Sequence, residues 1–251
     1  MIYNYDNMKI NYQIYGRGRP LILLHGWGLN YHTFDHLIDY LGDNYTIFAI
    51  DLPGFGQSDQ PQNSYNLTQY VKFLELFITE LQIEKPIIIG HSFGGRIAIK
   101  YVSSHNDLVN KLILVDSAGI KKRKTIKQMV NIIRYKCLKK YYKFKKDATK
   151  YNQLLKVNGS NDFINASNIM KGTMSKVIKE DLRKYLKKIN VETLIIWGKD
   201  DKETPYKDAL YMSKTIKNSG LVTFENCGHF PYLEKKKYFH IVIGKYLGVI
   251  K

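Results

Sequence analysis

Cysteine, acidic side chains and long apolar runs are all scarce in this sequence, and each scarcity narrows what the chain can be. Cys137 and Cys227 are the two cysteines among 251 residues. Two cysteines so far apart make neither a disulfide framework nor a zinc-ligand spacing, so free thiols and a cytoplasmic location are expected. No apolar stretch approaches the roughly 20 residues that span a bilayer. The opening Met1-Ile2-Tyr3-Asn4-Tyr5-Asp6 has no basic n-region and no apolar h-region, so no signal peptide is expected. No internal repeat of fixed period occurs. Acidic residues number 22 against 39 Lys+Arg, a formal charge of +17. The acidic deficit is local. From Lys121 to Lys187 there are 20 basic and 4 acidic residues, and the rest of the chain holds 19 and 18. The chain therefore reads as a near-neutral scaffold, long enough for one large domain, carrying a basic insertion.

Six short runs are apolar at nearly every position: Pro20–His25, Thr46–Asp51, Pro86–Gly90, Lys111–Asp116, Thr193–Gly198 and Leu221–Phe224. Such runs suit strands buried on both faces of a parallel sheet. Residues 2–6 and 9–15 suggest two further strands around a turn at Asp6-Asn7. Helical spacing lies between the runs, as at Val71, Leu74, Phe77, Ile78 and Leu81, with Thr68 a candidate cap. Segments 206–217 and 233–247 also read as helices. Strand–helix alternation predicts an α/β fold with an open, mostly parallel sheet and helices on both faces. Segment 120–187 breaks the alternation. Ile126, Met129, Val130, Ile133, Cys137, Tyr141 and Phe144 recur at helical spacing among lysines. Val177, Ile178, Leu182, Tyr185 and Leu186 suggest a later helix. The expected division is a core of 1–119 and 188–251 with a helical insertion at 120–187.

The strongest chemical signal is Gly90-His91-Ser92-Phe93-Gly94-Gly95, between an apolar strand and a helix pattern. A serine on a sharp strand-to-helix turn presents its hydroxyl above the sheet, and glycines let strand and helix approach. Ser92 is the candidate nucleophile. It needs a base, and His229 follows the last strand on a loop at a strand's carboxyl end, where ligand sites of such sheets lie. His25 precedes the nucleophile in the chain, and His91 is expected to point elsewhere. His32, His36, His105 and His240 fall in or near helix patterns. The base needs an acid to hold its tautomer. Asp200 and Asp201 end one strand and Asp116 another. The oxyanion needs preorganised N–H donors, and the amides of Phe93 and Trp27 are the candidates. His25, Gly26, Trp27 and Arg96 are candidate pocket residues. No metal or cofactor is called for.

Five ordered motifs now resemble the α/β-hydrolase superfamily: His25-Gly26-Trp27-Gly28, Asp51–Asp59, Gly90–Gly95, Trp197–Asp201 with Pro205, and Gly228-His229-Phe230. The resemblance covers 1–119 and 190–251. It implies an α/β-hydrolase fold in which 120–187 is a lid, and it favours Asp201, fifth in its motif, as the acid. Asp51–Asp59 is then a structural turn. Ser92 in place of an aspartate sets the chain apart from dehalogenases and epoxide hydrolases of this fold. The implied activity is that of a serine hydrolase, a carboxylic-ester hydrolase first. A carbon–carbon bond hydrolase and a pyruvate-eliminating synthase like that of the menaquinone pathway, the latter resting on Arg96, are the alternatives. A weakly catalytic binding or receptor module is an alternative of another class. The expected partner is a small ester or acyl substrate. The basic insertion reads as a solvated face, as an attractor of anionic substrates, or as a surface for weak association with anionic membrane. Nucleic acid is disfavoured, since no reader motif accompanies the charge.

Overall fold

Strands that are apolar at every position need cover on both faces, and here they have it. The computed structural model describes residues 1–121, 126–145, 147, 149–150 and 166–250, the side chains of 126–129, 132, 136 and 143 excepted. Eight strands form one sheet: β1 (Ile2–Tyr5), β2 (Met8–Tyr15), β3 (Arg19–Leu24), β4 (Tyr45–Ile50), β5 (Ile87–His91), β6 (Lys111–Val115), β7 (Thr193–Gly198) and β8 (Ser219–Phe224). Their order is β1-β2-β4-β3-β5-β6-β7-β8. The β1–β2 and β2–β4 pairs are antiparallel and all others parallel. Asp6 and Asn7 join β1 to β2 with positive φ of 48° and 59°, the backbone of a tight hairpin turn.

The helices are α1 (Asp35–Leu41), α2 (Leu67–Glu80), α3 (Phe93–Val102), α4 (Ile126–Phe144), α5 (Asn168–Val177), α6 (Arg183–Leu186), α7 (Tyr206–Thr215), α8 (Pro231–Glu234) and α9 (Lys236–Leu247). Two apolar clusters lie on opposite sides of the sheet. One gathers Phe73 and Phe77 of α2 with Ile97 and Tyr101 of α3. The other gathers Leu37 and Leu41 of α1 with Phe239 and Ile243 of α9. Leu21–Leu24 of β3 are fully buried between them, each such side chain contributing about 1.5–3 kcal/mol. The eight strands expected from the sequence are all present.

Two local expectations are corrected. Helix α2 is capped by Asn66 in a reciprocal capping box with Gln69, while Thr68 lies inside the helix and accepts from Lys100 at 2.7 Å. Asn66 stands at the strand-like entry where its carboxamide reaches the orphan N–H groups. The single helix expected from Val177 to Leu186 is two elements, α5 and α6. The Leu182 N–H leaves the helical ladder for the Gly119 carbonyl at 3.0 Å, and the Arg183 N–H donates to Asp181 Oδ1 at 3.1 Å.

Between β6 and β7 the chain leaves the sheet and carries α4, α5 and α6. The expected roles of Ile126 and Met129 lie outside the described side chains. Helix α5 sits on the loop after β4: the Tyr65 N–H donates to Thr173 Oγ1 at 2.9 Å and Ser64 Oγ to the Ile169 carbonyl at 2.8 Å. Among the described residues no helix is long and apolar enough to cross a membrane.

Candidate active site

Ser92 follows β5 and precedes α3, with φ +50° and ψ −107°. That is a strained conformation for a residue bearing a Cβ. Three backbone bonds hold it: its N–H donates to the Val115 carbonyl at 3.1 Å, and its carbonyl accepts from Ala118 at 3.0 Å and Arg96 at 3.3 Å. The turn is tight enough that a Cβ on Gly94 would lie 2.1 Å from the Leu24 carbonyl oxygen. Glycine is required there because the helix start abuts β3. The N–H groups of Phe93 and Trp27 donate to no backbone carbonyl among the described residues. Gly94, by contrast, spends its N–H on the His25 carbonyl at 3.1 Å. Gly26, between His25 and Trp27, lies close under the His91 ring, where a Cβ would come within 2.8 Å of Nδ1.

Asp201 and His229 meet across the loops after β7 and β8. His229 Nδ1 lies 2.7 Å from Asp201 Oδ2, and both residues are buried. A carboxylate on Nδ1 makes that nitrogen the protonated one and leaves Nε2 to accept a proton. Burial alone would raise the Asp201 carboxyl. Hydrogen bonds from His229 and Thr204 outweigh it and hold the group at about 2. Asp201 Oδ1 accepts the N–H groups of Glu203 at 2.7 Å and Thr204 at 3.0 Å, and Thr204 Oγ1 donates to Oδ2 at 2.5 Å. The neighbouring Asp200 is exposed. Trp197 supports this loop from below: its buried indole donates to the Thr204 carbonyl at 2.9 Å.

Asp116, at the end of β6, is fully buried. Its Oδ1 accepts from Gly198 at 3.0 Å. Burial, reinforced by Asp201, pushes its carboxyl up to about 10, so it is neutral at ordinary pH. One ligand atom each from Asp116, Asp201 and His229 lies within 4.8 Å of the others, a spacing that invites a metal reading. A protonated Asp116 and a His229 nitrogen already in contact with Asp201 make a poor donor set.

The other expected site residues separate into two groups. His25 is fully buried, with Nδ1 on the Gly26 carbonyl at 2.7 Å and Nε2 accepting the Leu52 N–H at 3.0 Å. Burial lowers its pKa to about 4, so it is a neutral strut with no free nitrogen for a substrate. Arg96 is also buried. Its guanidinium donates to the carbonyls of Val177 at 2.7 Å and Glu180 at 2.6 Å, where it satisfies the end of α5. Trp27, in contrast, is half-exposed beside the site, its ring 5.3 Å from Phe93. It lines a cavity of about 320 Å³ with Phe55, Gln60, Ser167 and Met170. A second cavity of about 440 Å³ adjoins the Asp201 loop, walled by Arg96, Ala118, Ile120, Ile178, Glu203 and Thr204, so the expected pocket residue Arg96 does border a cavity. Both lie between the sheet's carboxyl edge and the insertion.

Sequence reasoning missed three supports. Thr204 bonds the acid, and its Asp-x-x-Thr spacing is a turn signature that pointed to it. Glu203 Oε2 lies 3.6 Å from His229 Nε2. His91 packs its ring against that of His229, centroids 4.8 Å apart, and its Nε2 donates to the His229 carbonyl at 2.9 Å. It thereby ties the base's loop to the end of β5. Burial, with the neighbouring His229 imidazole adding to it, lowers its pKa to about 3, which keeps it neutral. No sequence signal marked that contact, since 138 residues separate the partners.

The sequence profile of the alpha/beta hydrolase fold family matches residues 19–167 and 136–236. The AB hydrolase superfamily protein YisY of Bacillus subtilis is 33% identical, with 92% of each chain covered. The 2-hydroxy-6-oxo-6-(2'-aminophenyl)hexa-2,4-dienoic acid hydrolase of Metapseudomonas resinovorans is 25% identical over 94% of this chain and 86% of its own. Among solved structures, an esterase from Exiguobacterium antarcticum superposes with a TM-score of 0.77 at 28% identity, covering 98% of both chains. With its parallel sheet, its strained turn at Ser92 and these matches, the chain belongs to the α/β-hydrolase fold family.

Proposed function

We propose that this protein is a carboxylic-ester hydrolase that works through an acyl-enzyme on Ser92. The observation that carries this reading is the His229–Asp201 pair, 2.7 Å apart and buried, at the same carboxyl edge of the sheet as a serine at φ +50° on the turn after β5. In the proposed cycle Ser92 Oγ attacks the ester carbonyl while His229 Nε2 takes its proton. Asp201 holds the Nδ1–H tautomer and stabilises the imidazolium. The amides of Phe93 and Trp27 receive the oxyanion. The imidazolium returns the proton to the leaving alkoxide, and a water activated by the same base releases the acid. The structurally similar esterase supports the ester reading.

A carbon–carbon bond hydrolase is the second reading, favoured by the similarity to the dienoic acid hydrolase, whose named substrate carries a ketone. The pyruvate-eliminating alternative rests on Arg96, whose Nη2 serves two backbone carbonyls while its buried Nε has no partner among the described residues. The test is labelling by a fluorophosphonate probe together with rates on p-nitrophenyl esters of increasing chain length. Ser92→Ala should abolish labelling, and Ser92→Ala or His229→Ala should lower kcat by roughly 10⁵–10⁶-fold. Equal labelling of Ser92→Ala, or an unlabelled wild type, refutes a serine enzyme and favours a binding module. Labelling without ester turnover favours the carbon–carbon reading.

A further inference from the structure

Helix α4 is built inside out for a helix of a water-soluble protein. Its stretch Ile126–Phe144 contains six Lys and Arg residues and no Asp or Glu. Val130, Ile133, Cys137, Tyr141 and Phe144 are separated by 3, 4, 4 and 3 residues. At about 100° per residue that spacing sets them in one stripe roughly 80° wide. The stripe faces solvent: Val130 is 56% exposed, Ile133 60%, Tyr141 53% and Phe144 83%, and Cys137 is exposed as well. Among the described side chains, the partly covered ones are Tyr135, Leu138, Lys139 and Tyr142, on the remainder of the helix. Arg134 and Lys140, both exposed, flank the stripe about 60° to either side of its middle. Ordinary amphipathic helices turn such a stripe inward, and contiguous apolar strips left outside mark interaction surfaces.

The charge decides the occupant. A second copy of the chain would bring an equally basic helix against this one, so like charges oppose self-association through the stripe. Nucleic acid would use the lysines and leave the apolar stripe in water. An anionic lipid surface uses both, with acyl chains for the stripe and phosphate for the flanking cations.

We propose that α4 docks this protein reversibly on anionic membrane surfaces, with Ile133 and Phe144 at the acyl boundary and Arg134 and Lys140 on the headgroups. The proposal stands apart from the esterase reading, because it concerns a face remote in sequence from Ser92 and needs no turnover. Should both hold, docking sets the insertion that walls both cavities against the lipid, and the substrates to be screened first are acyl esters drawn from membranes.

The test is co-sedimentation of the full chain with vesicles of phosphatidylglycerol mixed with phosphatidylcholine, against phosphatidylcholine alone, at 50 and 500 mM salt. Ser92→Ala is included to separate binding from turnover. The expected result is binding to the anionic vesicles at least 10-fold tighter than to the neutral ones, weakened at least 10-fold at high salt and unchanged by Ser92→Ala. Ile133→Asp with Phe144→Asp should abolish it. Both sites are exposed, so the fold is unaffected. Phe144→Trp offers an independent reading, with its emission shifting to the blue on anionic vesicles alone. No binding, binding retained by the double aspartate variant, or an unshifted emission overturns the proposal. So does a dimer in sedimentation velocity that the double variant dissolves, which would give the stripe to a second copy.

Discussion

Replacing Asp116 with asparagine asks whether a buried carboxyl beside the candidate acid is neutral. Asp116 is fully buried, accepts the Gly198 N–H on Oδ1 at 3.0 Å, and has no hydrogen-bond partner on Oδ2 among the described residues. Burial is the main reason its carboxyl stays protonated up to about 10, and the Asp201 and Glu234 carboxylates add to it. An unfolded chain releases that proton near pH 4. Between the two values the folded state therefore binds one proton more than the unfolded state. Its stability must then fall as pH rises, by about 1.4 kcal/mol per pH unit from this group. From pH 5 to pH 8 the loss amounts to roughly 4 kcal/mol. Asparagine has the shape of the protonated acid and does not titrate. Urea unfolding of Asp116→Asn and wild type at pH 5, 6.5 and 8 should show the variant gaining on wild type by that amount across the series. Ester turnover of the variant should stay within about 10-fold of wild type, because Asp201 keeps its bond to His229. A stability difference constant with pH would show that Asp116 is ionised and refute the reasoning. A loss in kcat near 10⁴-fold, the cost of removing the acid from a triad, would make Asp116 the partner of His229.

Other substitutions probe the remaining parts of the site. Asp201→Asn should lower kcat by roughly 10³–10⁴-fold, whereas Asp200→Asn, at an exposed position, should stay within a factor of about three in the same steady-state assay. Gly94→Ala places a Cβ 2.1 Å from the Leu24 carbonyl oxygen and should cost more than about 2 kcal/mol by urea unfolding. Arg96→Met strands the Val177 and Glu180 carbonyls, and at about 1–3 kcal/mol for a lost buried partner it should expose α5 to limited proteolysis and raise KM more than it lowers kcat. Asp201 has the opposite pH signature to Asp116. Its carboxyl is held down at about 2, so its contribution is complete above pH 4 and is lost as pH falls toward 2. Acid unfolding of Asp201→Asn should show that loss missing.

The strand segments, the strand-to-helix turn at Ser92 and the position of His229 on the loop after the last strand were legible in the linear sequence because each rests on a local pattern. Runs such as Leu21–Leu24 state their own burial, and a glycine-flanked serine between strand and helix states its own geometry. Even there, local reading had limits. The cap of α2 passed from Thr68 to Asn66, since the choice depends on where the chain enters the helix. What tertiary structure alone decided are contacts made across long separations. Asp116, Asp200 and Asp201 are chemically identical and all sit at strand ends. Only the meeting of two loops brings Asp201 to His229 Nδ1 and exposes Asp200, while Asp116 is buried with a single N–H, that of Gly198, on its carboxyl. Arg96 lies four residues after Ser92, and it is the Val177 and Glu180 carbonyls, 81 and 84 residues away, that hold its guanidinium at the wall of a cavity. The periodicity of α4 shows that an apolar stripe exists, but periodicity has no inside or outside. The direction in which Phe144 points is a property of the folded chain, because burial is settled by what packs against a face and not by the face itself.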